Sequence, residues 1–449
     1  MREKWQKQMP LMTHIKDHPQ SKEIETISDI IESNPTIAEM ILQDLTRDKS
    51  PIQHAGAKGM SADQVLRSAV VKTLYSFTYE ELAFHIVDSQ SLRWFCRIGL
   101  AEEGFKKSTL NRNIKSISDQ TWEAINRCLL QYSKDQKVEK GRQVRIDCTC
   151  VETNIHEPSD SSLLYDGIRV LTRHIKQAKA EGVKVSGFSN HQRRAKRRML
   201  AILNAKNKKQ RKAAYVDLLK VADMVLGYAG KAETNLLGSS SLKALAISEA
   251  IKHDAALMSK VLDQTRRRVL LGEKVPAGEK VFSIFEPHTD IIIKDRRETI
   301  YGHKICLTGG VSNLILDCRI FEGNPADSSL TMSMLDRQKD IYRRYPLKAS
   351  LDGGFASKDN LKQAKEREIK DICFSKRRGL EKTDMCRSEY VYNRLRRFRA
   401  GIEAGISWLK RCMGLTRCTW KGWHSFKSYV WSSIVAANLL TLARAKLSG

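Results

Sequence analysis

Three acidic residues stand where a carboxylate can do chemistry. Asp147 lies in VRIDCTC, where Val144, Ile146, Cys148 and Cys150 alternate with Arg145, Asp147 and Thr149. That is the period of a half-buried strand, and it puts Asp147 on the polar face. Asp352 follows the apolar stretch 347–351 and precedes Gly353 and Gly354. It therefore sits at a strand's C-terminal end, where open α/β sheets bind ligands, and the glycines allow a sharp turn and a close substrate. Glu403 borders the helical stripe Ile402, Ile406, Leu409 and Met413, with Arg399 and Lys410 on its own side. Each acid has a plainer reading. An Asp at such a turn commonly caps its neighbours, and Arg399 with Glu403 makes an i,i+4 ion pair of about 0.3–0.5 kcal/mol. Taken together, two strands and a helix that each carry one acid suit two-metal phosphoryl transfer. Hard divalent ions prefer oxygen ligands, and two of them roughly 4 Å apart activate the attacking oxygen and stabilise the leaving one.

The elements that must position these acids follow from periodicity. The first hundred residues read as short helices: Ile24, Ile27 and Ile31, then Ile37, Met40, Ile41 and Leu45, recur at helical spacing. Ser61 is a plausible N-cap, Thr78 and Glu81 form a capping box, and one helix is expected from Ser108 through Leu129. After the Asp147 strand, residues 161–268 are helical and strongly basic, with HQRRAKRR at 191–198 and KKQRK at 208–212. Like charges at that density are either solvated or laid along phosphates. Gly272, Pro276 and Gly278 mark the exit. Strands are then expected at 280–285, 301–308 and 311–321, a helix through Leu330 to Ile341, and a strand at 347–351. A helix at 358–367, a strand at 369–374, a long helix at about 384–413 and a final apolar helix to about Ala445 complete the pattern. The fold class is α/β, a mixed sheet with helices packed on it.

Composition narrows the function. The 449 residues allow two or three domains at roughly 100–200 residues each. Lys and Arg number 78 against 51 Asp and Glu, a net charge of +27. That surplus favours a polyanion, nucleic acid first and an anionic membrane surface second. No run is apolar enough to span a bilayer, since 430–442 is broken by Ser432, Ser433 and Asn438. The opening MREKWQKQMP has charge but no apolar core behind it, so no secretory signal is expected. The ten Cys include no CxxC pair, and Cys148 and Cys150 are assigned to the core rather than to zinc or a disulfide. A reducing cytoplasm is the expected compartment.

VRIDCTCVETNIHEPSDSSLL (144–164), YGHKICL with GNPAD (301–327), SLDGGFAS (350–357) and FRAGIEAGISWLKRCMGL (398–415) resemble the DDE transposases of bacterial insertion sequences, in the broad insertion-sequence four/five lineage. TYEELAFHIVDSQSLRWFCRIGL, within 59–100, is similar to the helical domain that precedes their catalytic core. The resemblance implies an RNase H-like mixed sheet with flanking helices (141–449), preceded by an all-helical DNA-binding domain (1–140). A large basic helical insertion (160–275) follows the first core strand. It implies two Mg²⁺ or Mn²⁺ ions held by Asp147, Asp352 and Glu403. Of the Tyr, Arg, Glu, Lys signature common on the family's acidic helix, Arg399, Glu403 and Lys410 match, whereas Arg396 stands at the Tyr position. The resemblance assigns Arg399 and Lys410 to DNA phosphates, and Arg396 is a further candidate for DNA contact.

Some relatives insert a β-rich segment between the second Asp and the Glu. Here 352–403 holds only helix, strand and helix, and the insert follows the first Asp. Its Arg193, Arg194, Arg197 and Arg198 are expected to contact transposon or target DNA. His303 and Lys304, on the second core strand, are candidates for phosphate contact or for structural roles, and Asn324 and Asp327 for helix capping. Trp408, Trp420 and Trp423 are candidates for base stacking or for the core. The implied activity is hydrolytic release of 3′-hydroxyl ends at the terminal repeats and their attack on double-stranded target DNA. A homodimer would pair the two ends, in the bacterial cytoplasm at the nucleoid and without a membrane. The rival readings are a metal-dependent nuclease and a catalytically silent DNA-binding repressor.

Overall fold

The computed structural model describes residues 18–47, 59–99, 101–238, 241–294, 298–376 and 378–448. The opening MREKWQKQMP and Leu100 lie outside the described residues. Contacts divide the chain into two compact units, Met1–Val151 with Lys304–Gly449, and Glu152–His303.

The first unit begins with helices α1 (Pro19–Glu32), α2 (Thr36–Thr46), α3 (Ala62–Leu74), α4 (Tyr79–Asp88), α5 (Gln90–Phe95), α6 (Lys107–Lys115) and α7 (Asp119–Asp135). Their ends follow local chemistry. Ser61 with Gln64 and Thr78 with Glu81 close capping boxes at α3 and α4. The single helix expected from Ser108 to Leu129 is two, because Ser116 ends α6 and the Ser118 hydroxyl accepts from the Thr121 N–H to start α7. Ile117, between them, is fully buried. Strand β1 (Gln143–Glu152) follows, with Val144 and Ile146 in the core.

The second unit has a core of its own, built by α8 (Asp160–Ala180), α9 (Gln192–Leu203), α10 (Lys208–Leu236) and α11 (Leu242–Thr265). Gly167 lets α8 approach α11: a Cβ there would meet the Met258 sulfur at 2.3 Å. The strand expected at 280–285 does not form. The Val281 N–H donates to Gln264 Oε1 and the Ser283 hydroxyl accepts from the N–H groups of Phe285 and Glu286, so this backbone is satisfied by side chains. Its apolar character reflects Val281 and Ile284 packing on the helices. Strand β2 (Asp290–Lys294) instead pairs antiparallel with the start of β3 (Glu298–Gly309).

The chain continues through β4 (Ile315–Ile320), α12 (Asp327–Tyr342), β5 (Lys348–Leu351), α13 (Lys358–Glu366), β6 (Asp371–Phe374), α14 (Lys382–Met385), α15 (Glu389–Cys412) and α16 (Trp423–Ser448). The long helix expected from about residue 384 is interrupted by Cys386–Ser388, where Ser388 caps α15. The mixed sheet has six strands in the order β2-β3-β1-β5-β6, with β4 on β3; β1, β5 and β6 run parallel. Helix α16 is buried nearly all round, against α1, α3, α7 and β4. Its Asn438 side chain bonds both backbone groups of Ile315 and the Asn126 amide, which ties β4 to α16 and α7. Among the described residues no helix is long and apolar enough to cross a membrane.

Candidate active site

Parallel register brings the first two acids together. Val144 pairs with Ala349, Arg145 with Ser350 and Ile146 with Leu351. The next residues along are Asp147 and Asp352, on strands about 4.8 Å apart. On the far side Leu351 pairs with Phe374, and Ser375, one step further, donates its hydroxyl to Asp352 Oδ1 at 2.7 Å. Gly353 and Gly354 have ordinary φ angles and are needed for close approach. A Cβ on Gly353 would lie 2.5 Å from the Lys376 Cβ, and one on Gly354 2.5 Å from Asp327 Oδ2.

Helix α15 is held over these strands by polar contacts. The Ser350 hydroxyl donates to the Leu395 carbonyl at 2.8 Å, and the Tyr392 hydroxyl to the Phe374 carbonyl at 3.1 Å. Arg145, buried on β1, lies beneath the helix. Its guanidinium donates to the Phe398 carbonyl at 3.2 Å and to Asn313 Oδ1 at 2.5 Å, with its Cζ 4.7 Å from the Phe398 ring centroid. Gly401 faces that guanidinium so closely that an added Cβ would stand 1.8 Å from it. Gly401 in FRAGIEAG and Arg145 in VRID thus belong to one contact, invisible to spacing because 256 positions separate them in the chain.

This seating carries Arg399 into the centre of the acids. Its guanidinium lies 3.3 Å from Asp147 Oδ2 and 3.4 Å from Asp352 Oδ1, and it also pairs with Glu403. The i,i+4 pair is therefore present, but as one of three. Asp147 and Arg399 are largely buried, Asp352 less so, and Glu403 is 57% exposed. Burial pushes the Asp147 carboxyl up to about 6; the Cys148 N–H and Arg399 pull it down, and the charges of Asp352 and Glu403 push it up. Burial also acts to raise Asp352, yet the Ser375 hydroxyl, the backbone N–H groups of Gly353 and Gly354 and the Arg399 charge outweigh it and hold that carboxyl below its ordinary value. One guanidinium against three carboxylates leaves the cluster short of positive charge. The donors are all carboxylate oxygens, the ligands hard divalent ions take, so the residues present fit such an ion by chemistry. As placed they surround Arg399, and among the described residues no group of three or more His, Cys, Asp or Glu is arranged to hold a metal.

Arg396 is exposed and lines a pocket beside Asp352; Lys410 is half-buried two turns beyond Glu403 on α15. Other expected contacts are corrected by burial. His303 is fully buried in a chain of contacts, its Nε2 2.7 Å from His288 Nδ1 and its Nδ1 2.9 Å from Asp290 Oδ2, while His288 Nε2 meets Glu286 Oε2 at 2.8 Å. A ring so enclosed does not face DNA. Lys304 is buried as well and turns inward to Asp327 Oδ1 at 2.5 Å and the Pro325 carbonyl at 2.7 Å. Asp327 accordingly anchors a strand lysine; the N-cap of α12 is Ala326, with no side-chain cap. Trp408 and Trp423 pack against the core and Trp420 is buried in it, and Cys148 packs there too, beside Cys306.

The basic run on α9 is two different things. Arg194 and Arg198 both pair with Asp217 of α10, which fastens α9 to α10. Arg193 and Arg197 are exposed and enter no ion pair among the described residues. Sequence reasoning missed Ser375, Lys376 and Arg145. The signal for Arg145 is a basic residue alternating with apolar ones in a strand; for Ser375 and Lys376 it is only their place directly after β6.

A transposase DDE domain model matches residues 287–439, and a transposase domain (DUF772) model matches residues 13–116. The chain thus carries a DDE transposase domain with a second transposase domain upstream of it, and its mixed sheet with flanking helices is the RNase H-like core that a DDE domain implies. Asp352 and Glu403 lie inside the first match, whereas Asp147 lies upstream of it. No curated protein and no solved structure matches the chain.

Proposed function

We propose that this DDE transposase cuts DNA at the terminal repeats of its insertion sequence and joins the 3′-hydroxyl ends to target DNA, with Asp147, Asp352 and Glu403 as the catalytic acids. The observation that carries the reading is their convergence, from two strands and a helix, on the single guanidinium of Arg399. The chain's own residues preset the site. Ser375 orients Asp352, the Cys148 N–H orients Asp147 by donating to its Oδ1 at 2.8 Å, and Arg145 holds α15, whose Arg399 reaches both acids and pairs with Glu403. Two Mg²⁺ or Mn²⁺ ions among these oxygens would supply a deprotonated water or 3′-hydroxyl and charge stabilisation of the leaving oxygen. Attack on phosphorus by that oxygen breaks the P–O3′ bond without a covalent protein intermediate. Arg193 and Arg197 supply exposed positive charge for transposon or target DNA, and two copies of the chain pair the two ends.

The test uses the DNA flanking the reading frame as substrate. Asp352→Asn is expected to keep end binding and to lower strand cleavage in Mg²⁺ by on the order of a hundredfold to a thousandfold, the scale of losing one electrostatic contact to a transition state. Near-normal cleavage by that variant would refute the assignment. Joining of pre-cut ends separates a transposase from a nuclease, and nicking by the wild type separates both from a silent repressor.

A further inference from the structure

The parallel strands carry their acids at one end and a second concentration of charge at the other. Gln143 of β1 pairs with Lys348 of β5, four residues before Asp147 and Asp352 on the same strands, or about 13 Å back along the sheet. Two loops meet there. The end of α7 and the loop into β1 bring Lys134, Lys137, Lys140 and Arg142, and the loop from α12 into β5 brings Arg343 and Arg344. All six are exposed, and none enters an ion pair among the described residues. The loops form one surface. The Leu347 and Lys348 N–H groups donate to the Arg142 carbonyl at 2.8 and 3.1 Å, and Arg344 donates to the Lys140 carbonyl at 3.3 Å. The Tyr342 ring packs against Gly141 so closely that an added Cβ would lie 2.5 Å from it.

Little negative charge opposes these cations. In 134–142 the acids are Asp135 and Glu139. Glu139 is buried and turned inward, accepting from the N–H groups of Lys140, Gly141 and Ser312 and from the Ser312 hydroxyl. Segment 343–348 has no acid, and Asp340 lines, with Lys134 and Arg343, a cleft of about 250 Å³ between α7 and α12. The backbone adds a second sign. Lys137 and Arg343 adopt left-handed conformations, φ +60° and +59°, which glycine and asparagine take more easily. The fold gains nothing from a long cationic side chain at either place, so what these residues supply is charge and reach.

Six unpaired cations spread over two loops match the repeated charges of a nucleic-acid backbone better than one compact anion, and release of the DNA's counterions favours such binding. A straight duplex lying across one end of the sheet does not touch the other. We infer that this end of the sheet is a second nucleic-acid surface, which holds a DNA duplex by its phosphates without reading sequence while the acids at the far end act on a different duplex. The inference rests on the DNA reading above for its ligand, and its test needs no cutting.

The full chain, with a chelator present, is saturated with an unlabelled duplex from the DNA flanking the reading frame and then titrated with a labelled duplex of unrelated sequence over a range of salt. Wild type is expected to take up the second duplex. The combined variant Lys134→Gln, Lys137→Gly, Lys140→Gln and Arg343→Gly is expected to lower the slope of log affinity against log salt for that duplex by about 3, and to leave the slope for the flanking duplex within about 1 of wild type. The set Lys134→Arg, Lys137→Arg, Lys140→Arg and Arg343→Lys keeps the charge and is expected to keep both slopes. The urea midpoint of the glycine-bearing variant, expected at or above that of wild type, separates lost charge from a loosened fold. An unmoved slope for the second duplex, equal losses for both duplexes, or no second duplex on the wild type overturns the surface. The two readings fail separately. If the second duplex binds as stated while the wild type neither nicks nor joins DNA in Mg²⁺, the surface stands and the catalytic assignment falls; if the wild type cuts and these cations do not hold a second duplex, the surface alone falls.

Discussion

In the sheet-bearing unit one arginine serves three carboxylates, Asp147, Asp352 and Glu403, whereas in the helical unit two arginines, Arg194 and Arg198, close on the single carboxylate of Asp217. Both are clusters of ion pairs with opposite imbalances. The first is short of cations and partly buried, so each added charge there is felt strongly; the second is exposed, and water screens it. A cation deficit inside a sheet end marks a place that gains from further positive charge. A cation surplus on a helix face, with Arg193 and Arg197 beside it, marks a surface that gains from an anion. The same residue types thus gather three acids round one guanidinium in one unit and fasten two helices together in the other.

The comparison breaks most visibly in a cleavage assay. Glu403→Gln is expected to lower strand cleavage by on the order of a hundredfold or more, whereas Asp217→Asn is expected to leave it within about twofold; equal losses would mean that the imbalance carries no catalytic meaning. Next in size is the seating of α15. Gly401→Ala forces a methyl into the Arg145 guanidinium and is expected to cost about 1–3 kcal/mol, read from urea unfolding. Combined with Arg145→Ala the clash disappears, so a strictly additive double variant would contradict the contact.

On the helical side, Arg193→Glu with Arg197→Glu is expected to lower the salt slope of duplex binding by at least about 1 per arginine. Arg194→Ala with Arg198→Ala should change that slope less and loosen α9, seen as faster amide exchange along 192–203. If the second pair moves the slope as much as the first, Asp217 does not divide the run. The smallest effect is on pH. Hydrogen bonds from Arg194, then Arg198, hold the Asp217 carboxyl down to about 2 despite the opposing effect of burial. A depressed carboxyl stabilises the fold above its unfolded value, about 3.9, and that stabilisation fades as pH falls through about 2. Acid unfolding of Asp217→Asn is therefore expected to differ from wild type most near neutral pH and to converge with it at the acid end.

Much of the fold was legible because its causes are short-range. The alternation at Val144 to Cys150, the capping boxes at Ser61 and Thr78, and the apolar turn-bounded stretch before Asp352 each depend on residues within a few positions of one another. Where local signals conflicted, the reading slipped. Ser116 and Ser118 split an apparently continuous helix, and 280–285 is a short apolar run read as a strand although Gln264 and Ser283 take its backbone groups. His303 and Lys304 look alike in sequence as polar residues on a strand; their burial comes from Asp290, His288 and Asp327, whose positions no local pattern gives.

Sequence alone determined which residues are acids and cations and, for most segments, which become strands or helices, since capping and hydrophobic periodicity act over a few residues. Tertiary structure decided which charges meet. Strand register set Asp147 beside Asp352, the Arg145 contact with α15 brought Arg399 among three carboxylates, and packing at Gly353 set Lys376 at the pocket. Coulomb interactions depend on separation and on exclusion of water, and both are properties of the folded chain.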